Sequence, residues 1–135
     1  AFLVLGAEGV QIGKRFALAD ESSASPVFKE YCLSLGEGDT KLLLKKLAPT
    51  RLVKNAFREA VEKAEDSGAT SEELRTLLGR GRAKKGIFEG DLEEGELEIG
   101  QVSAIISRRQ SVAEVMNELV ESYRQAVEKK YLFER

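Results

Sequence analysis

Apolar residues recur at helical spacing in several stretches of the chain, and most of these stretches carry a start or a stop signal. An apolar run over residues 1–5 ends at Gly6, which predicts the end of a helix, because glycine adopts the left-handed conformation that closes one. Ser25 followed by Pro26 predicts the start of a second helix that runs to about Leu35. The hydrophobic pattern therefore indicates a largely helical chain.

Two further helix starts are marked by capping boxes, in which a hydroxyl and a carboxylate three residues later satisfy each other's backbone amides. Thr70 with Glu73 predicts a short helix to Leu78, and Ser111 with Glu114 predicts a long final helix. Amphipathic spacing predicts two more helices, over residues 50–66 and 97–106.

Only two stretches favour strands. Residues 9–13 form a short β-prone run between glycines, and residues 40–47 are apolar and stop before Pro49. A buried strand needs neighbours, because its backbone N–H and C=O groups must be paired. The chain offers no clear parallel partner for residues 9–13. Either residues 40–47 pair with them or the partner lies upstream, and we expect the second, in a longer protein of which this is the end.

Composition narrows the classes of function. The chain has 135 residues, of which 42% are hydrophobic and 33% charged, and its formal net charge is -2. This balance is typical of a globular domain and gives no basic excess for nucleic-acid binding. No apolar run is long enough to cross a membrane and the first residues do not resemble a secretory signal, so a cytoplasmic location is expected.

Residue counts also restrict the chemistry. The single cysteine, Cys32, excludes an internal disulfide and a cysteine-cluster zinc site, and its helical apolar surroundings indicate a core residue. The chain contains no histidine, which is the commonest general base and metal ligand. We therefore expect no metal site and no catalytic residue within this chain.

The segment over residues 6–16 carries the strongest chemical signal. Its pattern is a helix end, a tight turn, a strand and then Gly13 at the C-terminal edge of that strand. In a barrel of parallel strands this edge holds the active site, and a glycine there lets the backbone approach a ligand closely. Successive N–H groups after Gly13 can bind a phosphate, and Lys14 and Arg15 add positive charge. From the spacing alone, an ordinary strand that ends in a turn is the better interpretation.

The literal string of residues 6–16, GAEGVQIGKRF, resembles the eighth-strand motif of the nitronate monooxygenase / enoyl-ACP reductase II family. Members of that family are FMN-dependent oxidoreductases on a (β/α)8 TIM barrel. The resemblance implies an α/β fold, namely the C-terminal fragment of that barrel: its last strand plus a mostly α-helical region. It also implies that Gln11, Ile12, Gly13 and Lys14 contact the FMN phosphate. Lys14 departs from the usual threonine or serine, which removes a hydroxyl contact but adds an ammonium.

Three more segments resemble the same family in the same order, so the resemblance covers most of the chain. Residues 20–26 are similar to its Glu-Ser-x-Ala-His-Pro loop, with Ser25 in place of the histidine. Residues 51–55 match its Arg-x-x-Lys-Asn, and residues 90–91 and 100–106 match its Gly-Asp and Gly-Gln segments. The implied division is residues 1–25 as the end of the barrel (helix 7 end, strand 8 and the following loop) and residues 26–135 as a helical region that packs on it.

The resemblance implies an FMN-dependent oxidoreductase with NAD(P)H as co-substrate. The charged insert over residues 80–98 favours the enoyl-ACP reductase branch of fatty-acid synthesis, and nitronate monooxygenase is the alternative. The substrate would be a small molecule or an acyl-carrier-protein thioester, with no nucleic-acid or membrane partner. The catalytic base would lie upstream, so the chain alone is expected to be inactive, to need the N-terminal barrel portion, and to be capable of forming a homodimer. A non-enzymatic helical interaction module is the alternative from another class.

The charged insert has candidate roles of its own. Its basic part, residues 80–86, is either a phosphate contact for nicotinamide or phosphopantetheine, or a solvated surface loop, and the second is favoured. Its acidic part, residues 89–98, is either a cation site or a charged rim that balances the basic part, and the rim is favoured. Gly100 and Gln101 have two equally favoured interpretations. Either they place a backbone or amide group near the cofactor, or Gly100 permits close packing of a helix.

Overall fold

A computed structural model describes residue 2 and residues 5–130 of the chain. These residues form two compact units: a terminal unit, Ala1–Ser22 with Arg109–Arg135, and a central unit, Ser23–Arg108. No helix among the described residues combines the length and the apolarity that a membrane span needs. The elements in chain order are α1 (Gly13–Ala17), α2 (Pro26–Leu33), β1 (Thr40–Leu43), β2 (Thr50–Val53), α3 (Ala56–Asp66), α4 (Ser71–Leu78), a π-helical turn (Lys84–Phe88), a 3₁₀ turn (Gln101–Ile105) and α5 (Val112–Lys130).

Gly6, which the sequence predicted as a helix end, lies in a turn near the start of the terminal unit. It has a φ of 93°, and the N–H of Ala7 donates to the carbonyl of Phe2 at 3.1 Å. A left-handed glycine makes this hydrogen bond at a helix C-terminus, so the backbone at Gly6 agrees with the prediction, and the preceding helix itself stays a prediction. Three residues of the preceding apolar run, at positions 1, 3 and 4, lie outside the described residues.

Residues 9–13 do not form the strand that the sequence predicted. Residues 9–12 have no regular structure, and α1 begins at Gly13. Ile12 has φ -122° and ψ 76°, and this ψ lies below the range of a β-strand. The one sheet among the described residues pairs β1 with β2, in the central unit. The predicted strand is therefore wrong, because Ile12 does not have a strand conformation and the run has no described neighbour to pair with.

The long final helix of the terminal unit is confirmed, together with its capping box. The N–H of Glu114 donates to Ser111 Oγ at 3.2 Å, and the N–H of Ser111 donates to the Glu114 carboxylate at 2.7 Å. A second carboxylate, that of Glu21, accepts from the N–H of Val112 at 2.9 Å. Negative charge at this end favours the helix, because its first amides lack intrahelical acceptors.

The central unit is built on a hairpin, and its second strand corrects a helix prediction. β1 and β2 are antiparallel, with Thr40 opposite Val53 and Leu43 opposite Thr50. The helix predicted over residues 50–66 therefore begins only at Ala56. Leu52 and Val53 are buried, and their spacing suits a helix face as well as a strand that is covered on both sides. The prediction for residues 40–47 is confirmed over the range of β1.

The predicted helix over residues 97–106 is also wrong in its first part. The N–H of Val53 donates to the carbonyl of Leu97 at 3.0 Å, and the N–H of Ile99 donates to that of Arg51 at 3.3 Å. Residues 97–99 are thus extended along the free edge of β2, which explains their apolar character without a helix. Only the 3₁₀ turn that follows is helical.

Both remaining helix starts of the central unit are confirmed. The N–H of Phe28 donates to Ser25 Oγ at 3.2 Å, with Pro26 in the first turn of α2. Thr70 and Glu73 form the complete capping box of α4. The core packs the hairpin against the helices that follow it and comprises Leu43, Leu44, Leu52, Phe57 and Val61, with Leu47, Leu77 and Leu78 partly buried around them.

Candidate functional site

The four residues predicted to bind the FMN phosphate are accessible. Gln11, Gly13 and Lys14 are exposed, and Ile12 is half-buried. α1 starts within this segment, with Ile12 as its cap residue and without a side-chain hydrogen bond to the helix amides. Because the first amides of a helix have no intrahelical acceptor, those that follow Ile12 are available to an anion.

The space beside the segment is open. A Cβ added at Gly9 or at Gly13 would meet no heavy atom within 4 Å. A phosphate group needs close approach to backbone N–H groups and a nearby positive charge, and the exposed segment with Lys14 offers both. The residues present therefore fit the phosphate of a flavin mononucleotide.

The two basic residues of the motif have different surroundings. Arg15 donates hydrogen bonds to the side-chain oxygen of Gln110 and, at 3.2 Å, to the carboxylate of Glu118 on α5. Gln110 also donates to Glu118 at 2.6 Å, so these three side chains form one network within the terminal unit. Lys14 forms no ion pair with any residue that the structure describes. The sequence did not distinguish the two residues: Arg15 joins α1 to α5, whereas Lys14 is exposed and has no ion-pair partner among the described residues.

An apolar groove beside the motif is a feature that sequence reasoning missed. It has a volume of about 610 Å³ and lies between the segment before α1 and one face of α5. The sequence predicted α5 but did not reveal that this face of the helix is uncovered in the terminal unit. The groove is lined by Val10, Ile12, Phe16, Met116, Leu119, Val120, Tyr123 and Arg124.

Three ion pairs join the basic and acidic parts of the charged insert, as the rim interpretation predicted. Lys84 pairs with Glu89 at 3.2 Å, Lys85 with Asp91 at 2.9 Å, and Arg82 with Glu94 at 3.4 Å. The described residues contain no group of three or more acidic, cysteine or histidine side chains placed to hold a metal ion.

Asp91 has a specific structural role in this insert. Its carboxylate accepts hydrogen bonds from the N–H groups of Glu94 at 2.8 Å and Glu93 at 3.0 Å, in addition to its pair with Lys85. These bonds lower the pKa of Asp91 from 3.8 to about 2, and the bond from the Glu94 N–H has the largest effect. The neighbouring Gly90 has a φ of 81°, which favours glycine. The Gly-Asp motif therefore shapes a turn.

Asn55 is structural for a similar reason. Its side-chain oxygen accepts from the N–H of Arg58 at 2.8 Å and caps α3. Its amide nitrogen donates to the carbonyls of Leu92 at 3.0 Å and Gly95 at 2.8 Å. One side chain thus joins a helix start to the charged insert.

Cys32 is a core residue, as its surroundings in the sequence indicated. The residue is 0% exposed, and burial raises the pKa of its thiol to about 12. The thiolate, which is the nucleophilic form, is therefore scarce at neutral pH.

Comparison with known proteins gives consistent matches over most of the chain. A family model described as "Nitronate monooxygenase" matches residues 1–122. A probable nitronate monooxygenase of Bacillus subtilis (strain 168) is 33% identical over 120 residues, which cover 88% of this chain and 34% of that protein. The structure of FabK from Thermotoga maritima superimposes with a TM-score of 0.86 at 29% identity, over 97% of this chain and 42% of that one.

A point mutant of the same FabK gives a TM-score of 0.78 at 27% identity, over 97% of this chain and 39% of that chain. The chain thus spans well under half the length of these relatives. It is an α/β structure that resembles part of FabK, and it carries the glycine-rich motif with Gln11, Gly13 and Lys14 exposed. On the match to residues 1–122, the chain belongs to the nitronate monooxygenase family.

Proposed function

We propose that this chain supplies the flavin-phosphate site of an FMN-dependent oxidoreductase. The observation that carries the proposal is the exposed segment Gln11, Ile12, Gly13 and Lys14 at the uncapped start of α1, in a chain of the nitronate monooxygenase family. The amides after Ile12 would bind the phosphate oxygens, and the Lys14 ammonium would offset their charge. FMN, when bound, supplies hydride and electron transfer, while the protein holds and orients it.

Within this class we propose an enoyl-ACP reductase that uses NAD(P)H, and nitronate monooxygenase is the second candidate. The first is supported by the similarity to FabK over 97% of the chain and by the charged insert. The second is supported by the 33% identity to the probable nitronate monooxygenase. The two are separated by assaying the full-length protein without oxygen on NADPH and a crotonyl thioester, and with oxygen on propyl nitronate. Turnover of the nitronate alone would overturn the reductase proposal.

We further propose that the remaining part of a TIM barrel covers the apolar groove of the terminal unit. Residues 9–12 have no regular structure and no described strand partner, and the adjacent groove of about 610 Å³ is apolar. Both features suit a neighbouring barrel strand and its helix. The catalytic base would come from that part, because the present chain contains no histidine. A second copy of the chain is the alternative occupant of this face.

The flavin site is tested by Gly13→Val in the full-length protein. The valine side chain would fill the open space in which the phosphate is proposed to lie, while a Cβ at this position meets no atom within 4 Å. We expect the variant to lose bound FMN, measured by visible absorbance, with its thermal midpoint changed little. Gly9→Val is the matched control, since its added Cβ also meets open space but lies outside the four proposed contacts. A yellow Gly13→Val protein would contradict the site.

The flavin content of the unaltered protein tests the enzyme class itself. An oxidoreductase of this kind binds FMN, whereas a non-enzymatic helical interaction module does not. If the full-length protein stays colourless after addition of FMN and gel filtration, the flavin proposal fails and the module is the better interpretation.

A further inference from the structure

A second pocket lies entirely within the central unit, and the proposed flavin site does not use it. Its volume is about 690 Å³, which is within the range of small-molecule sites. Its lining combines the guanidinium of Arg51 with apolar side chains of the 3₁₀ turn. A single fixed cation beside an apolar surface is the arrangement that suits an amphipathic anion.

The Arg51 guanidinium is held in place through one nitrogen, and its other N–H groups remain available to a ligand. Its Nη1 donates to the carbonyl of Thr40 at 3.2 Å and to Thr40 Oγ1 at 3.3 Å, across the hairpin from β2 to β1. Its Nε and Nη2 bond no residue in the described part of the chain. A half-buried guanidinium fixed through one nitrogen is preorganised, and its remaining N–H groups match the two oxygens of a carboxylate.

The apolar part of the pocket comes from the 3₁₀ turn. With three residues per turn, Val102 and Ile105 lie on the same side, and they are 54% and 81% exposed. Ser103 lies on the other side, fully buried, and its Oγ donates to the carbonyl of Gly100 at 2.8 Å. The buried Ser103 therefore fixes the turn, and Val102 and Ile105 on its other side face the pocket.

We propose that this pocket binds a small amphipathic carboxylate. Its carboxylate pairs with Arg51, and its short apolar chain lies on Val102 and Ile105. Glu37 also lines the pocket and is its only acidic residue. Repulsion by Glu37 favours a head group with one negative charge over a doubly charged phosphate. The proposal uses only residues of the central unit and stands apart from the flavin proposal.

Octanoate is the probe, titrated by calorimetry into the chain without added flavin. We expect saturable binding that is absent for acetate, which lacks the chain, and for octanol, which lacks the charge. Arg51→Gln should weaken octanoate binding at least about tenfold, because it removes a charge-assisted, two-point contact. Lys45→Gln, which removes an exposed lysine outside the pocket lining, should leave the affinity unchanged.

The head-group preference is tested with octyl phosphate. The unaltered chain should bind octyl phosphate more weakly than octanoate. Glu37→Gln should reduce this difference in affinity, because it removes the repelling carboxylate. Ile105→Ser is a second test that does not depend on the folding of Arg51→Gln, since Ile105 is 81% exposed. It should weaken octanoate binding severalfold without lowering the thermal midpoint.

Amide chemical shifts during the titration locate the ligand. Shifts at residues 36–40, 51 and 101–105 support the proposal. It is overturned if octanoate shows no saturable binding, if Arg51→Gln and Ile105→Ser bind it as the unaltered chain does, or if the shifts are confined to α5 and its groove. None of these outcomes bears on whether residues 11–14 bind FMN.

Discussion

Lys14 is the residue where this chain departs most clearly from the flavin motif it resembles. The structure leaves its ammonium exposed beside uncapped amides, whereas Arg15 is engaged with Gln110 and Glu118. A lysine here can replace the missing hydroxyl contact by a charge. On the flavin proposal, the departure changes how the phosphate would be bound and leaves the location of the proposed site unchanged.

We expect Lys14→Glu to lower the FMN affinity of the full-length protein at least about tenfold, because a carboxylate would repel the phosphate. Lys14→Thr, which restores the usual residue, should change the affinity by less than about threefold, since a hydroxyl bond takes the place of the ion pair. Quenching of FMN fluorescence measures both. Equal affinity in the glutamate variant would show that Lys14 does not face the phosphate.

Cys32 should be unreactive while the protein is folded. With a thiol pKa of about 12, less than a thousandth of the side chain is thiolate at pH 8, and burial blocks access. Iodoacetamide at pH 8 should therefore leave Cys32 unmodified by mass spectrometry until denaturant is added. Rapid labelling of the native chain would contradict its assignment to the core.

Asp91 should make the charged insert sensitive to acid. Its pKa falls from 3.8 in the unfolded chain to about 2 in the folded one, so the folded state binds fewer protons in this window. The stability it contributes is present above about pH 4 and is lost as the pH falls towards about 2. Asp91→Asn should flatten this part of the pH profile of stability, which urea unfolding measures.

At the level of elements, the sequence predicted best what is decided locally. The starts of α2, α4 and α5 follow from a capping side chain and its own amides within four residues, and all three were located correctly. The chain between β1 and α3 was misassigned because Leu52 and Val53 are buried by distant residues, including Leu97 across the free edge of β2. Hydrophobic spacing alone does not distinguish a residue on the buried face of a helix from a residue in a strand that distant segments cover.

Asn55 shows how a local signal can also have a distant role. We expect Asn55→Ala to lower the free energy of unfolding by roughly 2–4 kcal/mol, because it removes a helix cap and leaves two carbonyls without their donor. Thr70→Ala removes only a cap and should cost about 1 kcal/mol. Urea denaturation of both variants makes the comparison. Equal losses would mean that the bonds to Leu92 and Gly95 contribute nothing.

For the candidate site, the literal motif predicted the residues, and the structure supplied their surroundings. No spacing rule shows that an added Cβ at Gly13 meets empty space, or that Arg15 is engaged and Lys14 is not. The pocket around Arg51 was not predicted either, because it forms only when the hairpin and the 3₁₀ turn come together in the folded chain. Sites assembled from distant segments depend on packing that a linear pattern does not contain.

At the scale of the whole molecule, the exposed apolar face of α5 bears on association in solution. Met116 and Val120 are 46% and 41% exposed on the groove side. Exposed apolar patches of this kind promote association. We expect the chain of 135 residues to self-associate, and Met116→Glu with Val120→Glu to shift it towards the monomer in analytical ultracentrifugation. Asn117→Glu on the same helix adds a charge outside the groove lining and should have little effect.

The terminal unit is closed where the central unit is inserted into it. The N–H of Asp20 donates to the carbonyl of Gln110 at 3.0 Å, and the Arg109 guanidinium pairs with Asp20 at 2.8 Å. The two segments that connect the terminal unit to the central unit are therefore bonded to each other. The central unit is in this respect a long loop whose two ends are in contact. Because the two ends of the central unit meet at these contacts, residues 23–108 can be lengthened, shortened or exchanged while the contacts stay in place, and such a change would leave the segment proposed to bind the flavin phosphate unaltered.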